Sequence, residues 1–209
     1  MLFVLAATLP GLLPAATPPE NDDARALIAT LARPAPATID FTEIRFSALL
    51  KQPIIVSGQL AYSGPDALDR RVTQPYREDT EIRGNAVRVR REGEPERNFA
   101  IKRAPELQLL LRTFTAMLQG DAAAIEKNFS LAATSDPIRW QLVLTPQDAR
   151  LARRVQHIRI DGRSDLPRCL SIVNDARGAS IMLLGAATHV QMPPVVTREW
   201  LERTCSAGE

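Results

Sequence analysis

Histidine and cysteine are scarce in this 209-residue chain, with two of each, and the scarcity removes most catalytic chemistry. His157 and His189 both fall in predicted strands, and neither has metal-ligand spacing with Cys169 or Cys205, so no metal centre is expected. No H-E-x-x-H, G-x-S-x-G, Walker A or G-x-G-x-x-G pattern occurs. The acidic pairs Asp22-Asp23 and Glu78-Asp79 are expected in solvent or at a helix start. An enzyme is therefore disfavoured, and no cofactor is expected. Charge of one sign is also missing: 26 Lys and Arg against 24 Asp and Glu leave a net +2, scattered instead of clustered, which argues against nucleic acid.

Beyond the first residues, no stretch reaches the roughly 20 apolar residues that span a bilayer. The opening "MLFVLAATLPGLLPAATPPE" is apolar, ends in small residues and passes into a proline-bearing polar segment. It reads as a signal peptide over residues 1–16, cleaved near Ala16. No Lys or Arg precedes the apolar run, which leaves open a start upstream of Met1 or a buried N-terminal segment. No cysteine follows the small residues, so a lipid anchor is not indicated. In an exported chain, Cys169 and Cys205 read as a disulfide, with two separate buried thiols as the alternative.

At this length a single core is expected, and no repeat or linker divides the chain. "NDDARALIATLA" places Ala24, Leu27, Ile28 and Leu31 on one helical stripe, with Asn21 or Asp22 as N-cap, and "RPAPA" ends it. The period then falls to two. Ile39 and Phe41 share one phase while Ile44, Phe46 and Ala48 share the other, which predicts a bulge near Thr42 or Glu43. Ile54, Val56, Leu60 and Tyr62 fall on one phase with Gly58 between them, and a hairpin turns at Gly84-Asn85 with Val87 and Val89 inward. "APELQLLLRTFTAMLQGD" switches to a helical stripe of Leu107, Leu110, Leu111, Phe114, Met117 and Leu118, ended by Gly120. Asp121 caps a second helix, "AAAIEKNF". Strands resume with Ile138, Trp140, Leu142 and Leu144 on one phase, with turns expected at Asp161-Gly162 and Asp175–Gly178. "TREWLERTC" reads as a short helix or an irregular tail. A helix, about five strands, a helical pair and about four more strands make an α+β, mainly β, antiparallel arrangement.

The stretch "FTEIRFSALLKQPIIVSGQLAYSGPDALDRRVTQPYRED", followed by "IRGNAVRVRREG", resembles the N-terminal half of LolA-like periplasmic lipoprotein carriers. The shared features are an F-T-E strand start, a G-x-L strand, an x-P-x-x-L turn and a Q-P strand before a polar hairpin. "WQLVLTPQDARLARRVQHIRIDG" resembles that family's later strand, T-P helical turn and closing strand. The likeness covers roughly residues 20 to 190.

The resemblance implies one domain over 20–205, built as a strongly curved antiparallel sheet, an incomplete barrel whose concave apolar face is covered by helices. It implies acyl chains as cargo, a periplasmic monomer, and an inner-membrane exporter and an outer-membrane acceptor as partners. Val56, Leu60, Tyr62, Leu68, Val72 and Trp140 would face the cavity, with Leu110, Leu111, Phe114 and Met117 coming from a helical lid. All of these are equally readable as ordinary core. Many family members carry an arginine before the turn proline, where this chain has Gly64, so lid control must differ. Where they carry aromatics on the next strand, this chain has Arg70 and Arg71. An inward Arg70 would meet an acidic headgroup, or else pair with Glu78 or Asp79. The cargo is a lipoprotein, or alternatively a non-protein lipid or aryl-polyene-type lipid in an export system. A partner-binding module and an acyl-processing enzyme are the remaining readings.

Overall fold

The computed structural model describes residues 20–175 and 178–207, without the side chains at 20, 21, 105–107, 110, 175 and 207. The expected signal peptide at 1–16 lies outside the described residues. Helix α1 (Glu20–Thr30) leads into strands β1 (Ala37–Phe46), β2 (Ile54–Gly64), β3 (Ala67–Gln74), β4 (Glu78–Arg83), β5 (Ala86–Arg91) and β6 (Arg97–Ala100). Helices α2 (Pro105–Gln119) and α3 (Ala122–Glu126) follow. Strands β7 (Phe129–Ser135) and β8 (Arg139–Pro146) precede a one-turn helix α4 (Ala149–Ala152). Strands β9 (His157–Arg163), β10 (Leu166–Asp175) and β11 (Gly178–Leu184) and helix α5 (Arg198–Ala207) complete the chain.

All strands join one open 11-stranded antiparallel sheet in the order β6-β5-β4-β3-β2-β1-β11-β10-β9-β8-β7. The sheet is strongly curved and does not close into a barrel. Its connectivity dictates where the helices go. The chain walks outward from β1 to one edge at β6, and must then reach the opposite edge at β7 before walking back to the centre. The α2–α3 segment makes that journey over the concave face, its 15-residue helix spanning about 22 Å. Gly120 ends α2 in the left-handed conformation (φ 72°), where a Cβ would lie 3.4 Å from Ala29 and Ala32 of the α1 region. Asp121 caps α3 by accepting a hydrogen bond from the Ala124 N–H, as expected.

Both faces of the sheet are buried at its centre, which the period-two pattern hinted at but misassigned. Residues 41–44 of β1 are all buried, yet the pairing to β2 and β11 runs unbroken through them, so there is no bulge at Thr42 or Glu43. Phe41 belongs to the concave core beneath α1 and α3, whereas Ile44 joins a second core on the convex side with Cys169, Ile181, Leu183, Leu201 and Cys205, under α5. One strand thus supplies two cores from alternate residues. The register shift falls instead between Ser57 and Gly58, where a Cβ would stand 1.8 Å from the Arg71 carbonyl oxygen.

Other expectations are corrected. Asp161-Gly162 is not a turn: both residues lie inside β9, and the chain reverses after Arg163, with Ser164 at φ 53°. Gly162 is a glycine because Trp140 packs flat on it, with an added Cβ only 2.0 Å from the indole. The first run holds six strands and the second five, because β6 and β7 were not foreseen. The second helix stops at Glu126, and Phe129 opens β7. Helix α1 starts at Glu20, which puts Asn21 and Asp22 inside it instead of at its cap. Ile138 stands exposed ahead of β8, and His189 lies in a 3-10 turn, Gly185–His189, not a strand. The C-terminal segment is a helix, and Cys169 and Cys205 are bridged.

Candidate functional site

The concave face is built from one phase of each strand. Val56, Val72 and Trp140 belong to a core that also holds Phe41, Leu142, Leu144, Ile158 and Ile160, with Leu60 packed against its margin. Ala24 and Ile28 of α1, Met117 of α2 and Ile125 of α3 close this core from above, and Phe114 packs against it. Leu111 is one turn and more away on α2 and joins a smaller cluster with Ile82, Val87 and Ile101, against which Leu68 packs. Tyr62 is buried as well. Apart from Tyr62 and Leu110, the sequence-derived set is therefore divided between two clusters on one side of the sheet. The Leu110 side chain lies outside the described residues. The helices therefore pack against the strands through these two clusters.

The same face carries charge toward the end of β1. Glu43, with its side chain only 8% exposed, accepts two hydrogen bonds of 2.7 Å from Arg45, one of 2.7 Å from Arg70 and one of 2.7 Å from the Ser180 hydroxyl. Burial pushes the Glu43 carboxyl up. Hydrogen bonds from Arg45 and Ser180, with the charges of Arg45 and Arg70, outweigh that and hold it below the usual range. Arg70 reaches Glu78 at 3.5 Å and lies 5.0 Å from the Phe41 ring centroid, so it is inward, as its phase predicted. Of the two pairings expected for it, Glu78 is present, whereas Asp79 pairs with Arg71 on the outer side. Glu78 is therefore not in a solvent-facing context, its side chain being 15% exposed.

Glu43 is the residue that sequence reasoning missed. Its signal was there: on the phase of Ile39 and Phe41, the next two inward positions are Glu43 and Arg45, opposite charges two apart on one face. Gly64 has φ 147° beside a register shift, a conformation that favours glycine. Among the described residues no group of His, Cys, Asp and Glu is placed to hold a metal, and no helix is long and apolar enough to cross a membrane.

An open antiparallel sheet with an apolar concave face roofed by helices on the edge-to-edge crossing defines a protein of the lipoprotein-sorting, carrier-type fold. The chain belongs to the family described as outer membrane lipoprotein carrier protein LolA-like, whose model matches residues 16–208. Among solved structures, it is similar to a LolA superfamily protein from Nitrosomonas europaea, at 8% identity and TM-score 0.41, over 87% of this chain and 99% of that one. LprF from Mycobacterium bovis is similar at 11% identity and TM-score 0.40, over 85% and 99% of the two chains. The MucA/MucB complex of Pseudomonas aeruginosa is similar at 13% identity and TM-score 0.41, over 86% of this chain and 60% of that one. No curated protein matches the sequence.

Proposed function

We propose that this protein is a periplasmic carrier that holds acylated cargo between the concave sheet face and α2, and moves it from the inner to the outer membrane. The observation that carries the reading is topological: the apolar face is roofed by a segment that joins the two sheet edges and pairs with neither. Such a roof can lift while every strand ladder stays intact. Each acyl methylene buried contributes roughly 0.8 kcal/mol, so a few chain segments give reversible affinity suited to a shuttle. Val56, Leu60, Tyr62, Leu68, Val72 and Trp140 supply the floor, and Leu110, Leu111, Phe114 and Met117 the lid. Arg70, already inward, is the headgroup contact, drawn from its pairing with Glu43 and Glu78. An inner-membrane exporter loads the carrier and an outer-membrane acceptor empties it. It works as a monomer, without a cofactor and without catalysis.

Gly64 favours a second reading, in which the cargo is a non-protein lipid, because the arginine that would tie the lid in a lipoprotein carrier is replaced by a glycine with φ 147°. Solvent extraction of protein purified from the periplasm, followed by mass spectrometry, separates the readings. Co-purified lipoprotein supports the first, free acyl or polyene lipid supports the second, and a protein partner without lipid contradicts both.

A further inference from the structure

The β1–β2 hairpin ends in a turn whose chemistry is wrong for a turn. The Leu50 N–H bonds the Ser47 carbonyl at 3.1 Å and the Leu49 N–H bonds the Ser47 hydroxyl at 3.3 Å, which puts Ala48 and Leu49 at the apex. Such corners are normally Gly, Asn, Asp or Pro. Here Leu49 is 94% exposed and Leu50 44%, followed by exposed Lys51. Ile54 (44% exposed) lies on the concave side of the same hairpin end. On the convex side, a groove of about 510 Å³ is lined by Phe46, Leu50, Ile55, Val195 and Val196.

Two features say what this surface meets. The apolar side chains wrap the hairpin end on both faces of the sheet, which fits immersion in a medium better than the single face of a protein partner. Charge points to the sign of that medium. Residues 44–55, which form the hairpin end, and 194–198, which line the groove beside it, contain no Asp or Glu. Their cations are Arg45, paired with Glu43, Arg198, paired with Glu202, and Lys51, which has no ion pair among the described residues.

We propose that this hairpin end docks the protein on a bilayer containing anionic lipid, with Leu49 and Leu50 entering the acyl boundary and Lys51 meeting lipid phosphate. Two leucines and one lysine give shallow, reversible attachment, not an anchor. The docking does not rest on the carrier reading, because none of these residues belongs to the roofed core.

The test is flotation of the full chain with vesicles of phosphatidylethanolamine and phosphatidylglycerol, and separately with phosphatidylcholine vesicles. Wild-type protein floats with the anionic vesicles and several-fold less with the zwitterionic ones. Lys51→Glu lowers the bound fraction about fivefold or more. Leu49→Asp with Leu50→Asp lowers it at least tenfold, with an unchanged circular dichroism spectrum and unchanged binding of a fluorescent fatty acid. Wild-type protein that stays unbound on anionic vesicles, or a double-aspartate variant that floats equally well, overturns the proposal and leaves the surface to a protein partner.

Discussion

The two wings of the sheet are held in different ways. On one side of the centre, β1, β10 and β11 carry apolar clusters on both faces, with α5 clamped to the convex side by the Cys169–Cys205 bridge. On the other side, β3–β5 carry a small inner cluster around Ile82, Val87 and Leu111. Their outer face is a lattice of exposed ion pairs, among them Arg71–Asp79, Arg83–Asp69 and Arg90–Glu81. Exposed pairs contribute little each, so this wing relies on backbone ladders and a thin core. The lesson concerns the roof: α2 rests on the firm core through Met117 and on the thin one through Leu111, so its N-terminal part has the weaker support.

The contrast can be broken by substitution. Ile181→Ala, in the two-core wing, should destabilise by about 4 kcal/mol in urea unfolding, against about 2 kcal/mol for Ile82→Ala. Equal losses would erase the distinction between wings. Removing the bridge by Cys205→Ser should cost about 3–4 kcal/mol from chain entropy over its separation of 36 residues. Amide exchange in β3–β5 should stay faster than in β9–β11 even then. Glu43→Ala leaves Arg70 with Glu78 alone on a buried face, and about 3 kcal/mol should be lost. A loss near zero would mean that the cluster is not buried in solution.

The smallest effects are those of pH. Because the Glu43 carboxyl is held below its ordinary value of 4.5, its contribution is fully present above that value and is lost as pH falls through the lower folded one. Glu43→Gln should therefore flatten the acid limb of the stability profile. His157 is also lowered from 6.5, by burial first and then by Arg159 and Arg198. Stability should accordingly decline slightly as pH drops below 6.5, and His157→Gln should remove that slope.

Much of this was legible in the residues. The alternations Val56–Tyr62, Val87–Val89 and Trp140–Leu144, the Leu111–Met117 part of the stripe on α2 and the lone cysteine pair each state one physical requirement, and each was met. What escaped depended on neighbours distant in sequence. β6 and β7 are the edge strands, each hydrogen-bonded to a single partner, and the "FSLAATS" of β7 follows an alanine-rich helix with no turn signal strong enough to separate them. Gly162 looked like a turn residue because the demand on it comes from Trp140, a strand away. The phase change in β1 looked like a bulge because nothing local announced that α5 covers the second face. Glu43 was passed over for the same reason, its partners Arg70 and Ser180 lying 27 and 137 residues off.

The central claim is that α2 is a removable roof over an acyl-binding face, and titration of a fluorescent fatty-acyl probe into the delipidated protein tests it most directly. Wild-type protein should bind the probe saturably and release it to added lipid vesicles. Phe114→Asp should abolish binding while the sheet keeps its far-ultraviolet dichroism. Failure of the wild type to bind, or equal binding by Phe114→Asp, would mean that these side chains are core and nothing more.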